Sequence, residues 1–456
     1  MKPIYADLKH NSNTPLYVQL YDTIRRGIIG GDIKAGERLP SLRDLSGQLD
    51  VSITTCAGAY DQLILEGYLE ARQGSGYYVR EITGASEVKE ENPAEDSFSR
   101  EAAKYRCDPE CFDFAKWKKC FTWVMNDNPE ALLTPQDPQG EFTLREEISS
   151  YLYSARGVSA SPGDIVISAG VQQLTSRLAN ILSQIGIDFV NTEDPGYKPV
   201  RHIFRDVGFT LNKIPVKGNG LEIEKLPENI RTAVYVSPSN QFPTGSVMPA
   251  DRRYQLLEWA EKNRSVIIED DYDSELRYFG NPVPALKNID RSGCVVYLGS
   301  FSSTLFPAIR ISYMVLPPAL SEIYRKTLGD YDQTCSKIEQ LVLAEFMKNG
   351  FYQTGIRKIR KLYARKLDRL IDAFSKYGKD IVSAKNTKSG MSIRLDVKTS
   401  HSPSELCGKA GKLGLHIVPV HEKNENTRPA ELILYYDQIP LNEIDEAVRD
   451  LCSAWA

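Results

Sequence analysis

Three helical periodicities open the chain. From Thr14, apolar side chains return at Tyr17, Leu20, Tyr21, Ile24 and Ile28, the spacing of one helical face, and Gly30-Gly31 stops the run. Leu39-Pro40 leads to Ser41, which predicts an N-cap for a second helix with Leu42, Leu45 and Leu49 inward. Ser52 predicts the cap of a third, with Cys56, Ala59, Tyr60 and Leu63 on one face and Glu66-Gly67-Tyr68 at its end. Two β-type runs, Tyr68–Arg72 and Tyr77–Arg80, then flank the glycine-rich tip Gln73-Gly74-Ser75-Gly76, which predicts a hairpin. Three helices followed by a hairpin is the order of a winged helix-turn-helix, here over residues 1–80.

The pattern lapses between residues 81 and 107. That stretch carries seven acidic and four basic residues, one proline and little apolar periodicity before Tyr105, so it reads as an acidic, solvated linker. From about 108, β-rich runs recur at Ile165-Val-Ile, Asp188-Phe-Val, Ala233-Val-Tyr-Val, Val266-Ile-Ile, Val295-Val-Tyr-Leu and Ile311-Ser-Tyr-Met-Val. Helical stretches separate most of them, which predicts an α/β domain with a mainly parallel sheet covered on both faces. A basic helix from Gly355 through Ser375 is expected to connect this body to a smaller C-terminal α/β subdomain, about 355–456. Its charges read as a solvated face.

Composition narrows the class. A chain of 456 residues is expected to form two or three folding units, and 41% hydrophobic with 25% charged residues is a globular composition. No run of about eighteen apolar residues exists, so no membrane-spanning helix and no membrane partner is expected. The start, Met-Lys-Pro-Ile-Tyr-Ala-Asp, lacks the apolar core of a signal peptide, so the expected location is cytoplasmic. Eight scattered cysteines without a C-x-x-C pair suit reduced thiols, and no metal site is expected. The net charge of -4 gives no global attraction to nucleic acid, so any contact with DNA must be local.

Residues 12–80 resemble the GntR family of winged helix-turn-helix regulators. The resemblance rests on Pro15-Leu-Tyr-Val-Gln-Leu, Gly36-Glu-Arg-Leu-Pro-Ser-Leu-Arg-Asp-Leu, Val51-Ser, Ala59-Tyr-Asp-Gln-Leu and Glu66-Gly-Tyr-Leu. It implies a third helix in the major groove of a double-stranded operator and a wing on the minor groove or backbone. Arg43 then becomes a base or phosphate contact, Ser52, Thr54 and Thr55 open the recognition helix, and Arg72 with Gly74 belongs to the wing. Two features depart from the family or temper binding. Ile53 stands where the family usually has arginine, and residues 1–80 hold nine Lys/Arg against nine Asp/Glu, which implies modest affinity and salt dependence.

With that head, the whole chain resembles the MocR/GabR group, in which a winged helix is fused to a fold-type I aminotransferase domain. The landmarks run in order: Asp137-Pro-Gln-Gly140, Leu144-Arg-Glu146, Ser168-Ala-Gly-Val-Gln-Gln173, Glu193-Asp-Pro-Gly-Tyr197, Ser237-Pro-Ser-Asn-Gln-Phe-Pro-Thr-Gly245, Glu269-Asp-Asp-Tyr-Asp-Ser-Glu275 and Gly299–Arg310. The resemblance implies a pyridoxal phosphate (PLP) pocket. Gly170, Val171 and Gln172 would hold the phosphate at a helix N-terminus, with Ser300 and Arg310 completing the cup. Tyr197 would stack on the ring, Asp270 would hydrogen-bond its nitrogen and Tyr272 its phenolic oxygen.

The family's Schiff-base lysine falls at position 303, and here it is Ser303. No catalytic residue is then assigned, and PLP is expected to be held non-covalently or to be absent. Ile433 stands where many aminotransferases place a carboxylate-gripping arginine, with Arg428 nearby. The resemblance thus implies a homodimeric, DNA-binding transcriptional regulator that senses PLP, an amino acid or a PLP–amino acid adduct without turnover. Two alternatives stay open. One is a PLP-dependent aminotransferase with a DNA-tethering head, for which Lys198 is the lysine nearest in sequence to a pocket motif. The other is a PLP-free regulator that uses the body only for dimerisation.

Overall fold

A computed structural model describes residues 8, 14–72, 74–81, 109–278, 284–385, 389–421 and 429–456. The chain divides into two compact units, Met1–Ser97 and Phe98–Ala456. The expected linker lies outside the described residues except for Glu81, and so do Arg428 and Cys107.

In the first unit the apolar faces become α1 (Leu16–Ile29), α2 (Leu42–Leu49) and α3 (Ile53–Leu65), followed by β1 (Leu69–Arg72) and β2 (Gly76–Val79). Leu20, Ile24, Leu45, Cys56, Ala59, Tyr60 and Leu63 meet in one buried core. Both expected caps form: Ser41 Oγ accepts from Asp44 N at 3.2 Å and Ser52 Oγ from Thr55 N at 3.1 Å. The strands pair antiparallel, Leu69 opposite Val79 and Arg72 opposite Gly76.

The large lobe of the second unit is built on eight strands: β3 (Ile165–Ser168), β4 (Phe189–Asp194), β5 (Thr210–Lys217), β6 (Gly220–Leu221), β7 (Ala233–Val236), β8 (Val266–Asp270), β9 (Val295–Ser300) and β10 (Ser312–Val315). Their order is β3-β10-β9-β8-β7-β4-β5-β6. From β9 to β5 every pair is parallel. The six runs foreseen from sequence are all strands, but Ile311–Val315 departs from the parallel expectation. As β10 it runs antiparallel to both β9 and β3. Its connection from β9 is residues 301–311, too short for the helical crossover that a parallel return requires.

In this sheet β5 and β6 were not foreseen, and no run marked the individual strands of the small lobe. β5 lies near the end of the sheet, partly exposed along most of its length, so it lacks the continuous apolar run of the buried strands; it also contains Pro215. Separate apolar clusters pack the two faces of this sheet.

A 27-residue helix, Phe351–Tyr377, leads out of this lobe into a smaller one. There β11 (Val382–Lys385), β12 (Ser392–Val397), β13 (Ile417–Pro419) and β14 (Ala430–Tyr435) form an antiparallel sheet in the order β11-β12-β14-β13. Leu362, Leu367 and Leu370 of the helix pack against this sheet together with Trp455.

Candidate functional site

The head places its sequence-predicted residues on two features. Ser52, at the start of α3, is within hydrogen-bond reach of the Thr54 and Thr55 hydroxyls at 2.7 and 2.8 Å. The three hydroxyls thus form one polar group at the start of the helix. Ile53 beside them is 49% exposed, an apolar side chain on a surface that the core does not explain. Arg43, in the first turn of α2, is exposed.

On the wing, Gly74 has φ +73°, a conformation that L side chains rarely adopt, and it shapes the turn. Arg72 is paired with Glu70 and lies over the Tyr78 ring, 4.3 Å from its centroid. One residue not singled out from sequence joins the wing. Arg38 forms a β-bridge with Tyr78 and sets its guanidinium against Gly76.

In the second unit, all nine residues expected around a cofactor line one cavity of about 320 Å³: Gly170, Val171, Gln172, Tyr197, Asp270, Tyr272, Ser300, Ser303 and Arg310. The parallel strands explain the convergence, because Asp270 ends β8, Ser300 ends β9, and Gly170 follows β3 to open the helix Val171–Gln184. No side chain caps that helix, so its first amides face the cavity without a side-chain acceptor. Arg310, at φ +48°, presses its guanidinium against Gly170 so closely that a Cβ there would lie 2.5 Å from Nη2. Among the described residues the Arg310 guanidinium makes no hydrogen bond or ion pair.

Ser300 Oγ accepts from Ser312 Oγ at 2.9 Å, and the buried Ser302 Oγ has no partner. An uncapped helix N-terminus, an unpaired guanidinium and an orphan hydroxyl among the lining residues are the donor set a phosphate requires.

Another part of the lining is acidic and aromatic. Asp270 Oδ2 accepts from the Tyr235 hydroxyl at 2.6 Å, while Oδ1 is buried without a partner. Burial pushes the Asp270 carboxyl up to about 6, against the pull of the Tyr235 hydrogen bond. A protonated ring nitrogen placed at Oδ1 would complete it. Tyr197 and Tyr272 each stand edge-on to Phe242, with ring centroids 6.5 and 6.4 Å apart. The residues present fit PLP.

Ser303 Oγ donates to the Tyr272 carbonyl at 2.9 Å. Beside it, Asp273 has a buried Oδ1 without a partner, and burial with nearby Glu275 and Asp437 pushes this carboxyl up to about 8. No lysine lines the cavity among the described residues. Lys198 is exposed at the start of the helix Lys198–Asp206, and Ile433 is buried in β14 opposite Arg394 of β12. The small lobe supplies Met391, Ser392 and Tyr435, and Tyr435 stacks on His416 at 4.6 Å.

Sequence reasoning did not single out Phe242, Asp273, Ser302, Ser312, Met391, Ser392 or Tyr435, nor Tyr235 behind Asp270. Phe242, Asp273 and Ser302 lie inside motifs that were recognised, so proximity in sequence was their signal. Ser392 and Tyr435 face each other across β12 and β14, a register that no local pattern displays.

Behind the cavity, Arg156 forks onto Asp271, Nε to Oδ2 at 2.8 Å and Nη2 to Oδ1 at 3.1 Å, and Nη2 also reaches Ser239 Oγ at 3.0 Å. The Tyr297 hydroxyl donates to the same carboxylate at 2.5 Å. This buried bidentate pair fixes the backbone between Asp270 and Tyr272.

Comparison with known proteins agrees with this architecture. Residues 16–79 match the bacterial regulatory proteins of the gntR family, and residues 117–396 match aminotransferase class I and II. The HTH-type transcriptional regulator YdeL of Bacillus subtilis is 36% identical over 98% of each chain. The probable rhizopine catabolism regulatory protein MocR of Rhizobium meliloti is 29% identical over 98% of this chain and 95% of its own. Among solved structures, the multiple substrate aminotransferase of Thermococcus profundus superposes with a TM-score of 0.67. It is 26% identical, over 77% of this chain and 89% of that one. The head, the body and their order along one chain therefore place this protein in the MocR-like family of DNA-binding transcriptional regulators, a GntR winged helix fused to an aminotransferase-like domain.

Proposed function

We propose that this regulator senses PLP, or a PLP–amino acid adduct, by holding it non-covalently and without turnover. One observation carries the reading. The cavity leaves its phosphate-type donors and Oδ1 of Asp270 without partners, and among the described residues no lysine lines it. Bound PLP supplies an aldehyde and an electron-withdrawing ring. Arg310, Ser302 and the amides of Val171 and Gln172 would hold the phosphate, and Tyr197 would cover the ring. Asp270, oriented by Tyr235, would keep a proton on the ring nitrogen.

Ser303 takes the place of the lysine. Its hydroxyl is already given to the Tyr272 carbonyl and offers neither a covalent anchor nor a base for proton transfer. Affinity therefore rests on the ends of the ligand, and binding favours one arrangement of a body and its reading heads rather than a reaction. In this reading the chain acts as a homodimer in the cytoplasm and presents two heads to an operator.

Calorimetric titration of PLP into the chain and into Ser303→Lys tests the proposal. Binding by both, with borohydride fixing the ligand only to the lysine variant, is the expected result. Binding by the lysine variant alone would show that the native pocket has given up the cofactor and would leave the body as a scaffold. Keto-acid production from amino acids by the native chain would instead restore the enzyme reading.

A further inference from the structure

The basic helix that reads in sequence as a solvated face has one side that is not simply solvated. Arg357 and Arg360, one turn apart near the start of Phe351–Tyr377, line a second cavity of about 280 Å³ together with Arg277. It shares no lining residue with the first cavity. Tyr151, Ala155 and Arg156 of the helix Phe142–Arg156 form its wall, and the turn Ser274–Leu276 supplies Ser274 and Glu275.

Three of its side chains carry buried polar atoms with no hydrogen-bond partner: Arg277 Nε, Glu275 Oε2 and Gln353 Oε1. Unsatisfied buried groups are costly and rare, and the three residues that carry these all line one cavity, which indicates a place for a polar ligand. Their neighbours bear this out. Glu275 Oε1 is taken by the Tyr151 hydroxyl at 2.8 Å, so only Oε2 remains available. Arg156 is committed to Asp271. Arg357 Nε reaches the Gln353 carbonyl at 3.3 Å, and Arg360 Nη2 the Arg277 carbonyl at 2.7 Å. Among the described residues none of Arg277, Arg357 and Arg360 forms an ion pair, so three guanidiniums border the cavity without an acidic partner.

We propose that this second cavity is a binding site for a small organic acid that also carries a hydroxyl or ammonium group. Its carboxylates would meet the three guanidiniums, which offer forked donors suited to such groups. Its donor would meet Glu275 Oε2 and Gln353 Oε1.

Titrating the full chain with succinate, malate, aspartate and inorganic phosphate tests the site. Malate or aspartate should bind about tenfold or more tightly than succinate, the difference one buried hydrogen-bond donor makes. The double variant Arg357→Gln/Arg360→Gln should weaken that binding by about tenfold or more while leaving PLP titration unchanged, and Arg310→Gln should do the reverse. Absence of heat with every probe overturns the proposal. So does binding indifferent to the double variant, or inorganic phosphate binding to Arg310→Gln as well as malate does. Loss in Arg310→Gln alone would assign the anion to the first cavity and overturn it as well. Because PLP is titrated separately, failure here leaves the reading of the first cavity standing.

Discussion

At the residue scale, Gly170 shows how little freedom the first cavity has. Its φ of +91° and the approach of Arg310 leave no room for a methyl group. Gly170→Ala should therefore weaken PLP binding by about tenfold or more, as Arg310→Gln does, because both displace the same guanidinium. A calorimetric affinity unchanged in either variant would remove Arg310 from the phosphate end. Asp270→Asn keeps the shape but loses the charge, and PLP affinity should fall with little change in melting temperature. Among these residues, those inside contiguous motifs were legible in sequence because glycine, proline and aspartate at fixed spacing mark a strand-end turn. Tyr235 was not, because a tyrosine in an aliphatic strand looks like core until its hydroxyl is seen on Asp270.

At the scale of elements, caps and periodicity carried most of what could be foreseen. Ser41 and Ser52 stand at helix starts because their hydroxyls satisfy amides that no carbonyl can reach. Ser52→Ala should cost the head about 1 kcal/mol, read as a shift in its unfolding midpoint, and should also weaken operator binding. Arg43→Ala should weaken operator binding more than Arg72→Ala, since Arg43 is exposed while Arg72 is already paired with Glu70. Electrophoretic shift with a genomic fragment library would rank the two, and the opposite order would move the main contact to the wing. What escaped the sequence were elements defined by partners. β5 is a strand because β4 and β6 complete it, and β10 is antiparallel because its connection is short.

For the whole molecule, buried carboxyl groups set the response to pH. Burial pushes Glu193 and Asp273 up to about 8, Glu275 up to about 7, and Asp270 and Asp437 up to about 6. Between the ordinary carboxylate range and those values the folded chain holds protons that the unfolded chain has lost. That contribution to stability is complete at low pH and is lost as pH rises through the raised values. The melting temperature should accordingly fall from about pH 5.5 to about pH 8.5, and a flat or rising profile would show these groups to be ionised in the folded chain. None of this was legible in a net charge of -4, because the sum does not distinguish buried acids from exposed ones.

The helix Phe351–Tyr377 also governs the body as a mechanical part. At about 1.5 Å per residue its 27 residues make a rod about 40 Å long. Tyr352 and Ile356 are gripped by the large lobe, and Leu362 through Phe374 by the small one. The small lobe brings Ser392 and Tyr435 to one cavity, while the rod carries Arg357 and Arg360 at the other. A rod clamped at both ends cannot turn one lobe without turning what it bears. The Ser392–Tyr435 side of the first cavity and the Arg357–Arg360 side of the second therefore hang on one continuous element.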